Sequence, residues 1–301
     1  MPAHDELGIR MKEFYENIPK TKLMRRCPVC IRLDGKAFHT FTRGFKRPFD
    51  EILIKSMQDT MKYLCENIQG CVLGYHQSDE ITLILVDYHT INSDAWFDYK
   101  VQKICSVSAS MATMAFNKSF NFHISMIQTY LHYGEEFDYE MLKKDYNITK
   151  DELKSDGTFW ERLDKYQKIM NTAVFDSRVF NIPKEEVTNL IYWRQLDAAR
   201  NSIQMVGQTY FNYEELDHKN VNMIQDMLFT QKGINWNDYP THQKRGSCCI
   251  KEVYYPKPKE GLEDYPVDTS MARTRWVIDT EIPMFKNEGR QYVDKFVFIG
   301  E

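Results

Sequence analysis

Val29-Cys30-Ile31-Arg32-Leu33-Asp34-Gly35, with Cys71-Val72-Leu73-Gly74-Tyr75-His76-Gln77-Ser78-Asp79-Glu80 further on, decides how this chain is read. In the first stretch an apolar, β-branched run is cut off by Asp-Gly, the signature of a short strand ending in a turn. In the second, residues 71–75 and 81–86 predict two strands. The polar run from His76 to Glu80 predicts the hairpin turn between them, or its flanks. Working outward, Pro48 and Asp50 open a helix whose Ile54, Met57, Met61 and Leu64 recur at spacings of three and four, and Gly70 closes that region. Val101, Ile104, Ser108, Met111 and Ala115 predict a second helix with small residues for close packing on a sheet. Residues 174–180 predict another strand, stopped by Pro183. The order is strand, helix, strand, strand, helix, strand: an α+β, ferredoxin-like βαββαβ pattern. In such a sheet the first strand lies beside the central hairpin, so Asp34 and Asp79 can approach one another.

Residues 128–170 interrupt the pattern with a charged, aromatic, partly helical segment, read as an insertion on the sheet. Beyond Pro183, residues 184–211 and a stretch around 220–229 predict helices, and residues 247–255 and 275–279 predict strands.

Two carboxylates at strand ends, one of them next to a glycine, suit divalent cations. Magnesium takes oxygen ligands and keeps phosphate oxygens as partners. Gly35 lets a ligand approach the backbone, and its carbonyl is a further oxygen donor. Glu80 adds a third acid, which strand alternation directs to the other side from Asp79. Ordinary turns also use Asp-Gly and Ser-Asp-Glu, so spacing alone does not separate the two readings. Lys46 and Arg47 follow the first strand, and Lys100 and Lys103 lie one turn apart on the second helix. They read either as holders of a triphosphate or as a solvated basic face.

Composition narrows the classes. The chain has 301 residues, 43% hydrophobic and 14% aromatic, enough for a buried core. A formal net charge of −4 excludes a globally basic nucleic-acid binder but not a local basic groove. No apolar run is long enough to span a bilayer, and residues 1–10 lack the apolar segment of a signal peptide. Seven cysteines without that segment predict reduced thiols in a cytoplasmic protein. Cys27, Cys30, Cys248 and Cys249 lack the spacing of a zinc finger.

At this point the chain resembles the tRNA-His guanylyltransferase superfamily. The resemblance is carried by Ile31 through His39, Arg47-Pro48-Phe49-Asp50, Gly74 through Glu80, Trp96-Phe97 with Lys100 and Lys103, Phe175-Asp176-Ser177-Arg178, and Trp193-Arg194-Gln195-Leu196-Asp197. Gly233 through Asp238 and Lys244-Arg245-Gly246 extend it. It implies a polymerase-like palm over residues 1–182, with the insertion at about 128–170, and a mainly helical C-terminal region over 183–301. It implies two Mg²⁺ on Asp34, the Gly35 carbonyl and Asp79, with Glu80 as the adjacent catalytic acid. Lys36, Phe38, His39, Lys46, Arg47, Ser78, Lys100 and Lys103 match the nucleotide-binding motifs. The implied reaction runs in the 3′–5′ direction on tRNA: ATP adenylylates a 5′-monophosphate, and the 3′-hydroxyl of an incoming GTP or other NTP displaces AMP. A homotetramer, in which one tRNA touches several subunits, is implied too.

The guanylyltransferases proper carry His-Ile-Asn-Asn-Leu-Tyr-Asn where this chain has Ala199-Arg200-Asn201-Ser202-Ile203-Gln204-Met205, and only Asn201 agrees. That departure resembles the guanylyltransferase-like branch, which repairs 5′-truncated tRNA. The alternatives are addition of the extra guanosine to tRNA-His and nucleotidyl cyclisation on the same palm. Asn201, Lys219, Lys244 and Arg245 are RNA-contact candidates. Lys143, Lys144, Lys232, Arg273 and Arg275 are further basic residues outside the palm.

Overall fold

Val29, Ile31 and Leu33 point to one face of the first strand and Cys30 and Arg32 to the other, so this strand needs cover on both sides. The computed structural model supplies it, and describes residues 5–132, 139–154, 157–255 and 272–300. A short helix α1 (Glu6–Met11) precedes β1 (Val29–Gly35), followed by α2 (Phe38–Phe41), α3 (Glu51–Asn67), β2 (Cys71–Gln77), β3 (Glu80–Leu85) and α4 (Val101–His132). Three helices of the insertion come next: α5 (Tyr139–Tyr146), α6 (Lys150–Lys154) and α7 (Thr158–Lys168). The chain continues through β4 (Phe175–Asn181), α8 (Lys184–Tyr210), α9 (Tyr213–Leu216), α10 (Val221–Lys232), α11 (Thr241–Arg245), β5 (Ser247–Tyr254), β6 (Arg273–Asp279) and α12 (Gln291–Val297).

The strands form one antiparallel sheet in the order β4-β1-β3-β2-β5-β6. The first four give the ferredoxin-like arrangement, and β5 and β6 extend it past β2. The expected division at 182/183 falls between β4 and α8, and the chain beyond it returns two strands to the sheet.

One face carries Val29, Ile31, Leu33, Ile81, Leu83 and Leu85 against α3 and α4. Asp50 caps α3, accepting from the Leu53 N–H at 3.0 Å. Small residues let α4 lie close to β4: Ser108 and Ser177 hydroxyls meet at 2.8 Å, and the Asn117 amide donates to the Ala173 carbonyl. On the other face, Cys30, Leu73, Tyr75 and Ile84 meet Val187 and Ile191 of α8 and Val293 and Val297 of α12. Cys248 and Cys249 are neighbours on β5 and enter opposite cores, so they cannot grip one ion together.

The described residues of the insertion do not lie on the sheet. Leu142, Tyr146, Phe159, Leu163 and Tyr166 join the core on the outer side of α3 and α4, because the sheet face beneath is already filled by those helices. Among the described residues no helix is long and apolar enough to cross a membrane.

Candidate active site

The site starts at a two-residue turn. Gln77 pairs with Glu80, leaving Ser78 and Asp79 to reverse the chain, with Ser78 in left-handed backbone at φ 52°. The Gly35 N–H donates to the Asp79 carbonyl at 3.1 Å, tying the turn to the end of β1. Gly35 is required there: a Cβ would lie 2.3 Å from the Phe38 ring. Asp34 and Asp79 are thereby held together at one end of the sheet.

Their electrostatics report the crowding. Asp79 is pushed up to about 6, first by burial and next by the negative charge of Asp34. A carboxylate raised in this way makes the folded protein bind a proton more tightly than the unfolded chain. Its contribution therefore favours folding at low pH and is lost as pH rises from about 4 through about 6. A divalent cation between the two acids would relieve the same repulsion. Among the described residues no group of three or more His, Cys, Asp or Glu gathers as a cage. Two carboxylates and a carbonyl instead suit Mg²⁺, which fills its shell with water and phosphate oxygens.

A cavity of about 360 Å³ opens beside Asp79. His39, Arg47 and Ser78 line it, with Leu53 and Ile54 of α3 and Ala198, Asn201, Ser202 and Met205 of α8. His76 forms part of its wall. Burial drives His76 down to about 4, so the ring is neutral at pH 7. Its Nε2–H donates to the Ser78 carbonyl at 3.0 Å, which supports the turn. Gly246 closes the wall at φ 84°, where a Cβ would meet the His76 carbonyl at 2.3 Å.

The remaining expected residues divide. Phe38 lines the cavity with a buried ring, stacked on Phe41 and packed against Phe116 and Phe175. Lys36 is exposed outside the cavity. Lys46 borders the cavity, but its ammonium is held by the Glu152 carboxylate at 3.0 Å and donates to the Asn147 carbonyl. Lys100 and Lys103 do not line the cavity. Lys100 precedes α4 and its backbone pairs with that of Lys22, and the Lys103 ammonium sits 4.6 Å from the Phe97 ring centroid. The α4–β4 contacts (Thr113 with Phe175, Ser108 with Ser177) put the start of α4 toward the far end of β4, roughly 13 Å along the strand from the partner of Asp34 at about 1.5 Å per helical and 3.3 Å per strand residue. Glu80 is turned from the cavity. Its carboxylate accepts from Arg194 at 2.7 Å, with Arg32 at 3.7 Å, both groups of the Arg194 pair being buried. Asp34 is its cross-strand neighbour, so Glu80 shares the α8 face of the sheet.

The RNA-contact candidates divide as well. Asn201 is exposed at the cavity and Lys219 is exposed near α9. Lys244 is turned inward, donating to the Asn237 carbonyl beside the Trp236 ring. Arg245 is half-buried. Arg275 pairs with Glu252 at 3.1 Å.

The sequence reading did not single out the α8 side chains that line the cavity, such as Ala198, Ser202 and Met205. Only the packing of α8 against β2 across the sheet makes them neighbours of Ser78, and no local signal carries that. Arg194 stood inside a quoted motif, yet its role in holding Glu80 is a tertiary contact.

Against known proteins, a sequence model of the Thg1, tRNAHis guanylyltransferase family matches residues 8–183. A bacterial tRNA(His) guanylyltransferase (Thg1)-like protein solved in complex with ATP is 37% identical, with TM-score 0.73 over 98% of this chain and 100% of that one. A bacterial Thg1-like protein in complex with GTP is 36% identical, with TM-score 0.69 and the same coverage. The tRNA(His) guanylyltransferase of Saccharomyces cerevisiae is 23% identical over 76% of this chain and 85% of its own length.

Proposed function

We propose, from the premise that this chain belongs to the tRNAHis guanylyltransferase family and is a nucleotidyltransferase, that it extends the 5′ end of truncated tRNA in the 3′–5′ direction. The observation that carries the reading is the cavity lined by His39, Arg47, Ser78 and Asp79, with Asp34 near enough to Asp79 to raise its proton affinity. The ATP- and GTP-bound relatives support a nucleotide in it. The absence of the His-Ile-Asn-Asn-Leu-Tyr-Asn run at 199–205 favours repair over obligate guanosine addition to tRNA-His.

In this reading Asp34, the Gly35 carbonyl and Asp79 would hold Mg²⁺, which would supply neutralisation of phosphate charge and activation of the attacking hydroxyl. Arg47 and His39 face the nucleotide's phosphates across the cavity, and Ser78 presents its hydroxyl at the turn. The 5′-phosphate of the RNA attacks the α-phosphorus of ATP and releases pyrophosphate. The 3′-hydroxyl of the incoming nucleotide then attacks the RNA's 5′-phosphorus, and AMP leaves. Glu80 positions rather than reacts: its pair with Arg194 ties β3 to α8, so the acids and the α8 wall of the cavity keep one spacing.

A homotetramer accords with two features. A groove shared by several copies would reconcile tRNA binding with a net charge of −4. Helix α1 and the turn after it bury nothing, while Leu7, Phe14, Tyr15 and Ile18 stand exposed.

The test is incubation with ATP, the four nucleotides and a 5′-truncated, 5′-monophosphorylated tRNA. Extension templated by the opposite 3′ strand is expected, faster than guanosine addition to full-length tRNA-His. Faster addition to tRNA-His would reverse the assignment, and cyclic product from a triphosphate alone would replace it.

A further inference from the structure

Two reactants must meet at Asp34 and Asp79, and the cavity accounts for one. It opens on the β2 side of the acids, among the turn, α3 and the later part of α8. The other side, over β1 and the edge strand β4, has a different surface.

There the exposed face of α8 carries Trp193, an indole 49% accessible to solvent. Its ring lies 4.5 Å from the Arg194 guanidinium carbon and 5.9 Å from that of Arg32. Arg32 precedes Asp34 by two residues on β1, so both side chains leave the same face of the sheet. Arg32 also faces Arg178 across the β1–β4 pairing, in the row next to Asp34 and Asp176. The Arg32 guanidinium donates no hydrogen bond among the described residues, and its buried Nε has no hydrogen-bond partner there, Glu80 standing at 3.7 Å. Among the described residues Arg178 has only a loose pairing with Asp176 at 3.7 Å, both half-exposed. Arg200, seven residues after Trp193, lies on nearly the same face of α8 and is also half-exposed.

Resting on the nucleotidyltransferase reading above, we infer that Trp193 is a stacking platform for the terminal base of the RNA strand being extended, with Arg32 and Arg178 meeting the phosphates that follow. A flat indole accepts any base, and a 5′ end extended by varying nucleotides needs a contact without base preference. The guanidinium groups supply charge at the end of the row that leads to Asp34, so the surface matches a polyanion better than an apolar protein face. The nucleotide then enters from the β2 side and the RNA end from the β4 side, with the acids between.

The same indole could serve only to shield the Arg194–Glu80 pair, or to meet another copy of this chain, and the experiment separates these. The full-length protein is titrated against a 5′-truncated, 5′-monophosphorylated tRNA labelled at its 3′ end, read by fluorescence anisotropy. MgATP binding is measured in parallel by calorimetry, and the oligomeric state by light scattering. Trp193→Ala should weaken RNA binding about 5- to 160-fold, the equivalent of the roughly 1–3 kcal/mol of one stacked base. Trp193→Phe should stay within about threefold of wild type, because it keeps an aromatic face. MgATP affinity and oligomeric state should not change in either variant. The inference is overturned by any of three results: RNA affinity of Trp193→Ala equal to wild type, an equal loss of MgATP affinity, or loss of RNA affinity together with a change of oligomeric state. The last would assign the indole to a copy interface. If wild type bound the RNA through Trp193 but extended no tRNA, the repair reading would fall and the platform would stand.

Discussion

Asp79→Ala is expected to slow nucleotide addition by about 1,000-fold or more at saturating substrates, the upper range for losing a group that stabilises transition-state charge. The folded protein should survive it. Asp79 is held near Asp34 by the Ser78-Asp79 turn, and its raised proton affinity shows that its charge burdens the fold. The melting temperature of the metal-free variant should therefore match or exceed that of wild type above pH 6. Asp34→Ala should be equally slow. The two losses should not multiply, since the same shared cation site would be lost in either case. Rates measured in rapid-quench single turnovers, with melting followed by circular dichroism, check both halves. A double variant much slower than either single one would mean that the acids act separately.

Arg194→Ala should be the most destabilising single change near the site, by roughly 3–5 kcal/mol, the usual cost of stranding one member of a buried ion pair. Removing the guanidinium leaves the buried Glu80 with Arg32 at 3.7 Å and the Thr82 hydroxyl at 3.5 Å, and leaves Asp197, which Arg194 also reaches at 2.9 Å, to the exposed Arg200 at 3.6 Å. Replacing both Arg194 and Glu80 by methionine should recover most of the loss, because two apolar side chains of similar volume carry no desolvation cost. Denaturant unfolding of the three variants decides it. If the double replacement were no more stable than Arg194→Ala, the loss would come from packing of α8 on the sheet.

Much of this was legible in the sequence. The βαββαβ order rests on local signals, a period of two in β1 and β3 and a period of three to four in α3 and α4, and the sheet order follows from them. The approach of Asp34 and Asp79 follows in turn, since adjacent antiparallel strands must end together. What escaped were facts set by side-chain direction and tertiary pairing. Lys100 and Lys103 carried the right charge, but the register of α4 on β4 puts them toward the far end of the sheet from the acids. Lys46 sits beside the cavity, yet its ammonium turns to Glu152 of the insertion, a partner that no local pattern announces. Glu80 kept the side that alternation assigned to it, while its commitment to Arg194 depended on where α8 crosses the sheet. Lys244 is a basic residue in a quoted motif, and the loop carrying Asn237 folds over it.

The most direct measurement is Mn²⁺ binding, followed by electron paramagnetic resonance in the presence of a non-hydrolysable ATP analogue. Wild type should take up the ion at neutral pH, lose affinity as pH falls below about 6 while Asp79 gains its proton, and lose it at every pH in Asp34→Asn and Asp79→Asn. Undiminished uptake by both variants would contradict the account, because the cation would then be held away from the acid pair on which the proposed chemistry depends.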